Sequence, residues 1–463
     1  MDPYNENLSD EDRQLVLHYE AAVALGRLDY FDVEEMEIII EHYLFEGDID
    51  NAKKALEYGF KLHPGDRYLQ CQKAAILLHR GKLRDALKLL DAYRDVDDPV
   101  HTFNRAEILY RLGQKSEALA EFRDLVDSSD ESADIPGLCL DIIGTINRAL
   151  DYKNSLYFFE KGLAVEPNNL DLLEAKALTV ECLNRTDEAI ALYNRVLDMD
   201  PYRRRTWCLL ASLQYDEQNY REALTAYDYV LAIDPTDSLS LSQKAYCQYR
   251  LGDMQGAAES CKKYLEMRPT DDGMYALLGE CYESLEKPKE AQRAYQKAIE
   301  INPKNDQAWF GVGVTYAALD EMEKAKQHIK KALAMNPKPL EYNMMLVDIL
   351  MREHNGNEVI TLLQKVVRGV GREEPLAWKR LGDAYLVFDS SEKAQKTYER
   401  AILLCEKRRS SLDGLQFFTA VACYANEDYK KAQNYYNQAK RLDTDAKEEF
   451  LRIFPYADEN LTL

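Results

Sequence analysis

The sequence is short of the residues that most catalytic and metal-binding sites are built from. Its 463 residues include only seven histidines, His18, His42, His63, His79, His101, His328 and His354. None falls in an HExxH or other close metal-ligand spacing, so they read as surface or packing residues. The nine cysteines are odd in number, scattered and never spaced as CxxC. That excludes a zinc ribbon or a thioredoxin-like motif and reads as reduced thiols in a cytoplasmic protein. Cys208, Cys247, Cys261 and Cys281 fit small packing residues better than nucleophiles. No GxSxG is present, and Gly369-Val370-Gly371 is followed by neither a third glycine nor Gly-Lys-Ser/Thr, so it reads as a connector. No run of eighteen apolar residues exists to span a bilayer. The opening Met1-Asp2-Pro3-Tyr4-Asn5-Glu6 is acidic and polar, unlike a secretory leader. Basic residues are outnumbered, 59 Lys and Arg against 81 Asp and Glu, so the net charge is −22. That disfavours nucleic acid and anionic membranes as partners, because both are bound by positive surface. The expectation is a cytoplasmic, non-enzymatic protein with no catalytic residue, no metal and no cofactor.

What the chain has in quantity is apolar residues, 46% of the total, and a period. A chain of this length normally divides into several compact domains, except where repeats let it grow in one dimension. Pro167, Pro201, Pro235, Pro269, Pro303 and Pro337 recur 34 residues apart. Each closes a phrase such as Leu197-Asp198-Met199-Asp200-Pro201, where proline stops a helix and sets an extended entry to the next. With that proline as position 32, position 20 is alanine at Ala52, Ala86, Ala118, Ala189, Ala223, Ala257, Ala291, Ala325, Ala394 and Ala432. Position 8 is small at Ala74, Ala106, Ala177, Ala211, Ala245, Gly279, Gly313, Gly382 and Ala420. Position 24 is aromatic at Phe122, Phe159, Tyr193, Tyr227, Tyr295, Tyr398 and Tyr436, and Trp207, Trp309 and Trp378 all occupy position 4. This is the pattern of a helical hairpin. Positions 4, 7, 8 and 11 share one face of a first helix, and positions 20, 24 and 27 share one face of a second. Small residues at 8 and 20 let the backbones approach, large ones at 4 and 24 fill the flanks, and Gly81, Gly113 and Gly252 occupy the turn.

The stretch Trp378, Leu381-Gly382, Tyr385, Ala394, Tyr398, Ala401 resembles the tetratricopeptide repeat family at nearly every signature position. Repeats begin near 33, 67, 99, 136, 170, 204, 238, 272, 306, 340, 375 and 413 and cover about nine-tenths of the chain. The resemblance implies an all-α, right-handed α-solenoid of about twelve helix-turn-helix hairpins with terminal capping helices. The acidic first repeat after Tyr30-Phe31-Asp32 resembles uncharacterised bacterial repeat proteins. The domain reading is an acidic segment and capping helix over 1–32, a solenoid over 33–444, and a capping helix and tail over 445–463. Ser9 is the expected cap of the leading helix. Extra residues at 133–135, 369–374 and 405–412 mark possible breaks. Ile143 with Ser155, and Val347 with Val359, replace the small residues at positions 8 and 20, and both hairpins are expected to pack less closely.

In this family positions 5, 9 and 12 line the concave surface that binds peptides. Here they supply Phe103, Tyr110, Tyr246, Tyr249, Phe310, Met344 and Met351, with Arg250 beside them at position 13. These eight residues are the expected partner-binding groove, open to the alternative that neighbouring helices cover them. Arg111, Arg148, Arg250 and Arg352 at position 13 read as cations near a helix C-terminus in preference to a ladder of anion clamps. Chaperone-binding members grip a carboxylate with Lys at 5 and Asn at 9; the one Lys at position 5 here is Lys379, and Asp383 stands at its position 9. The functional expectation is a scaffold that binds a peptide or helical segment of another protein. A self-assembling structural protein and a sensor of a small peptide are the alternatives, and the oligomeric state stays open. Residues 1–50 carry fifteen Asp and Glu against Arg13 and Arg27. That charge reads as solvated surface, or as a site for a basic partner or for the chain's own Lys407-Arg408-Arg409.

Overall fold

The computed structural model describes residues 10–93, 99–128, 134–441, 446–457 and 461. Among these it holds 26 helices and no strand. The chain forms two compact units, Met1–Leu213 and Gln214–Leu463, with the division inside the helix Arg204–Asp216. In the first unit a helix Asp10–Ala24 precedes five hairpins: Val33–Phe45 with Ile49–Leu62, Arg67–His79 with Leu83–Ala92, Pro99–Arg111 with Lys115–Ser128, Ile135–Arg148 with Tyr152–Val165, and Leu170–Cys182 with Thr186–Met199. In the second, Tyr220–Ile233 leads into six: Ser238–Arg250 with Met254–Met267, Asp272–Ser284 with Pro288–Ile301, Asp306–Ala318 with Met322–Met335, Leu340–Arg352 with Gly356–Arg368, Pro375–Phe388 with Ser391–Arg408, and Leu415–Ala425 with Tyr429–Lys440. A helix Ala446–Ile453 follows. The architecture is an α-solenoid of helical hairpins. Ten of the twelve first helices begin at the residue the repeat frame assigns; the repeats at 136 and 413 begin instead at Ile135 and Leu415.

Local chemistry explains the boundaries. Position 34 carries Asp66, Asn169, Asp237, Asp271 or Asn305, and each side chain caps the next repeat by accepting a backbone N–H three residues on. The turn inside the hairpin is made by a left-handed residue at position 15 in every repeat except the one at 375, where Asp389 has φ −135°. Gly81, Gly113 and Gly252 hold it as expected, with φ of 71°, 87° and 81°. The same φ is also imposed on Leu150, Asn184, Glu286, Asp320 and His354, where no glycine signals it. The three tryptophans share a device as well. The indole N–H of Trp207, Trp309 and Trp378 donates to the carbonyl of Pro201, Pro303 and Arg372 at 2.8, 2.9 and 2.9 Å.

The core repeats the logic of positions 8, 20 and 24. The ring of Tyr295 lies so close that a Cβ on Gly279 would meet it at 2.5 Å, and one on Gly311 of the next repeat at 2.3 Å. Tyr398 closes on Gly382 in the same way. A Cβ on Gly313 would lie 3.2 Å from the carbonyl oxygen of Ala325 at position 20, so the two backbones do approach there. The hairpin at 340, with buried Val347 and Val359, packs less closely than its neighbours. The hairpin at 136 does not: Ser155 is small, folds its hydroxyl onto the Tyr152 carbonyl at 2.7 Å, and leaves room for Ile143.

At the ends, Val16, Tyr19 and Ala22 of the leading helix are buried, with Tyr19 edge-on to Tyr43 and Tyr58. Phe450 of the last helix is fully buried among Phe417, Tyr424 and Tyr436. Ser9, the expected cap, and residues 133 and 445, which open a break and the closing segment in the sequence reading, lie outside the described residues. The extra residues at 405–408 lengthen the helix Ser391–Arg408 to 18 residues, after which Arg409 turns the chain at φ 53°.

Candidate binding groove

The eight groove residues named from the repeat frame divide by burial. In the first unit Phe103 is half-buried, 5.6 Å from the Phe122 ring. Tyr110 is buried at 3% exposure, its hydroxyl donates to Asp151 at 2.7 Å, and burial pushes its phenol well above the usual range. In the second unit Met344 is buried in the core, so Tyr110 and Met344 are withdrawn from any partner. Tyr246, Tyr249, Phe310 and Met351 are half-buried and Arg250 is exposed. At the last repeat Phe417 and Val421, which share the stripe, are covered, Phe417 by the closing helix.

Two hollows open on this face of the second unit, both lined mainly by first helices of successive repeats. One, of about 350 Å³, takes Tyr249 from the repeat at 238, Glu280 and Glu283 from 272, Asp306 and Phe310 from 306, and Glu341 and Tyr342 from 340. Phe310 stacks on Tyr342 with centroids 4.2 Å apart, and the Tyr342 hydroxyl donates to Asp306 at 3.0 Å. Asn336 donates to the same carboxylate oxygen at 2.9 Å. Gln307 donates to Glu280, and the Tyr295 hydroxyl donates to Glu283 at 3.1 Å. The concave wall strips water from the Glu283 carboxylate and raises its pKa; the Tyr295 hydrogen bond opposes this, and nearby Glu280 adds to it. Burial and the hydrogen bond to Glu280 push the Tyr249 phenol up to about 12. The second hollow, of about 460 Å³, is mainly apolar: Val314, Ala317, Ala318, Met345, Ile349 and Met351 line it, with Asp348 and Arg352 at the edge.

The repeat frame therefore pointed to Tyr249, Phe310 and Met351 but missed the carboxylates. Glu280 and Glu283 sit at positions 9 and 12, which the frame assigns to the groove, and were legible there. Asp306, Glu341 and Tyr342 sit at positions 1 to 3, where the start of one first helix overhangs the preceding repeat, and only packing brings them in. The position 13 arginines form no ladder. Arg111 and Arg148 both reach Glu107, at 3.0 and 3.2 Å, while Arg250 lies 6.0 Å from the Tyr220 ring. Lys379 is engaged by Asp383 at 3.4 Å. Among the described residues no cluster of His, Cys, Asp or Glu is placed to hold a metal ion, and no helix is long and apolar enough to cross a membrane.

A family model for tetratricopeptide repeats matches residues 71–133, and a model for the N-terminal tetratricopeptide repeat region of Psidin matches residues 212–328. With the hairpins and their 34-residue period, these show that the chain carries tetratricopeptide repeats, which supports a protein–protein interaction scaffold. No curated protein matches it. Among solved structures, the C-terminal part of a repeat-containing protein from Cytophaga hutchinsonii is 20% identical, covering 53% of this chain and 99% of that one, with a TM-score of 0.43. The Cut9–Hcn1 hetero-tetramer of the APC/C is 13% identical over 96% of this chain and 97% of that one, with a TM-score of 0.42. YrrB, described as a TPR protein with an unusual peptide-binding site, is 19% identical over 40% and 95%, with a TM-score of 0.37.

Proposed function

We propose that the chain is a non-enzymatic scaffold that holds a peptide segment of a partner protein along the first helices of the repeats at 238 through 340. The observation that carries this reading is the pair of hollows across those helices, in which Tyr249, Phe310 and Met351 are half-buried in the free chain. Half-buried aromatics on a concave surface suit binding. Their rings supply contact area and lose only two side-chain torsions on ordering.

The test is selection of binders from a displayed library of random dodecapeptides on the full-length chain. Enriched peptides are then measured against wild type, Tyr249→Ala and Phe310→Ala. A central aromatic anchor is worth roughly 2 kcal/mol, so affinity is expected to fall about thirtyfold in each variant. Melting temperature should move less than in a core truncation, since both rings are only half-buried where they pack on the core. A large loss of stability with unchanged affinity in the folded fraction would make both rings packing residues and move the site elsewhere.

A further inference from the structure

We infer that the groove is built for a basic peptide, seating a Lys or Arg side chain in the hollow between Tyr249 and Phe310 and an apolar side chain three or four residues away in the hollow beside Met351. The inference rests on the peptide-groove reading above and names its ligand.

The first hollow joins two features. Its accessible aromatic walls are the half-buried Tyr249 and Phe310, backed by the buried Tyr295 and Tyr342, and its charged groups are all anionic, Glu280, Glu283, Asp306 and Glu341. Aromatic faces attract a cation through their quadrupole, and carboxylates attract it directly. Elsewhere in this unit carboxylates find cations: Asp348 pairs with Arg380, Glu353 with Lys326, Glu358 with Lys330, Glu374 with Arg408, Glu399 with Lys431. Among the described residues none of the four in the hollow has a Lys, Arg or His nitrogen in ion-pair range. Their hydrogen-bond donors are neutral, Tyr295, Gln307, Asn336 and Tyr342. Neutral donors orient a carboxylate without cancelling its charge, so the hollow keeps a negative potential that a cationic side chain would neutralise.

The second hollow sets the register. Along the helix Asp306–Ala318 the first hollow is lined by Asp306, Gln307, Phe310 and Gly311, and the second by Val314, Ala317 and Ala318. Those sets are centred about eight residues apart, or roughly 12 Å along the helix at 1.5 Å per residue. An extended peptide rises about 3.3 Å per residue, so side chains about three to four positions apart reach both hollows.

The experiment uses the displayed library on the full-length chain, with Glu280→Gln and Glu283→Gln, singly and together, and Met351→Ala. Gln keeps the shape and the acceptor for Gln307 or Tyr295 and removes the charge. Enrichment of peptides with Lys or Arg three or four positions from Leu, Ile, Met or Phe is expected. Their affinity should fall at least tenfold in the double variant and in Met351→Ala, and the double variant should melt no lower than wild type. A merely structural role for the carboxylates predicts the opposite pairing, a lowered melting temperature and unchanged affinity. Enriched peptides that lack a basic residue, or that bind the double variant as well as wild type while still depending on Phe310, overturn the basic anchor and leave the groove standing. Peptides insensitive to Phe310, Met351 and both glutamates, or no enriched peptide at all, overturn the groove with it.

Discussion

At position 15 the backbone asks for a left-handed residue whether or not the sequence offers glycine. Leu150 meets that demand at φ 57° with its side chain 73% exposed, so it gains little packing in return. An L side chain in this region is strained by about 1 kcal/mol, which glycine avoids. Leu150→Gly is therefore expected to stabilise the first unit by about 0.5–1 kcal/mol, read as a higher urea midpoint at unchanged slope. An unchanged or lower midpoint would show that the exposed side chain packs after all. Arg105 is the opposite case, a charge at position 7 where the repeat frame expects Leu. It is 6% exposed, with Nε 2.9 Å from Asp91, one terminal nitrogen 3.3 Å from Glu117 and the other on Glu121. Removing one partner of such a cluster leaves carboxylates without their cation. Arg105→Met should cost about 3 kcal/mol. A loss under about 1 kcal/mol in chemical denaturation would make the cluster a solvated surface pair.

The hairpin is the unit in which packing is decided, and its tightest point is position 8 against position 24. A methyl at Gly382 would lie 2.5 Å from the Tyr398 ring, which is fully buried and tied by its hydroxyl to Asp383 at 2.8 Å. Alanine favours the helix by up to about 1 kcal/mol, but overpacking a ring that cannot move costs about 1–3 kcal/mol. Gly382→Ala should therefore destabilise, by about 1–2 kcal/mol. Because each repeat touches mainly its neighbours, the loss should stay local. Hydrogen exchange is expected to quicken in residues 340–440 and stay as it was in residues 33–128. Faster exchange throughout would mean the chain unfolds as one cooperative block. The element scale also shows where pattern reading stopped short. Val347 with Val359 and Ile143 with Ser155 look alike as departures, yet only the first hairpin is looser, because two branched residues facing each other cannot both be accommodated while a serine yields space.

Over the whole molecule the excess of negative charge has two addresses. One is the groove hollow. The other is the first fifty residues, with fifteen acidic against two basic residues. The chain's own basic stretch is already engaged: Lys407 pairs with Glu373 at 2.9 Å and Arg408 with Glu374 through two contacts at 2.8 Å. Glu35 closes a capping box with Asp32, so charge swaps there would unravel a helix end and confound any binding result. Glu34→Lys with Glu37→Lys is the cleaner probe. Peptide affinity at the groove is expected to fall as salt rises, because salt screens the attraction between a basic side chain and the carboxylates of the hollow, and to ignore these two swaps, because neither residue lines the hollow. Salt-independent affinity would remove electrostatics from recognition, and a drop with the swaps at unchanged melting would place recognition in the first repeat.

The sequence by itself determined the repeat, its phase and the class of fold. Spacing of proline, alanine and small residues is a one-dimensional record of which faces meet inside a hairpin, and those contacts are between residues less than 34 apart. It also named Tyr249, Phe310 and Met351, because their positions in the frame point away from the partner helix. It did not separate them from Tyr110 and Met344, which share those positions but are buried, nor did it bring Asp306, Glu341 and Tyr342 to Glu280 and Tyr249. Those meetings depend on how one repeat is rotated over the next. That rotation is set by the summed packing of many side chains, Tyr295 between Gly279 and Gly311 among them, and no single position in the frame encodes it.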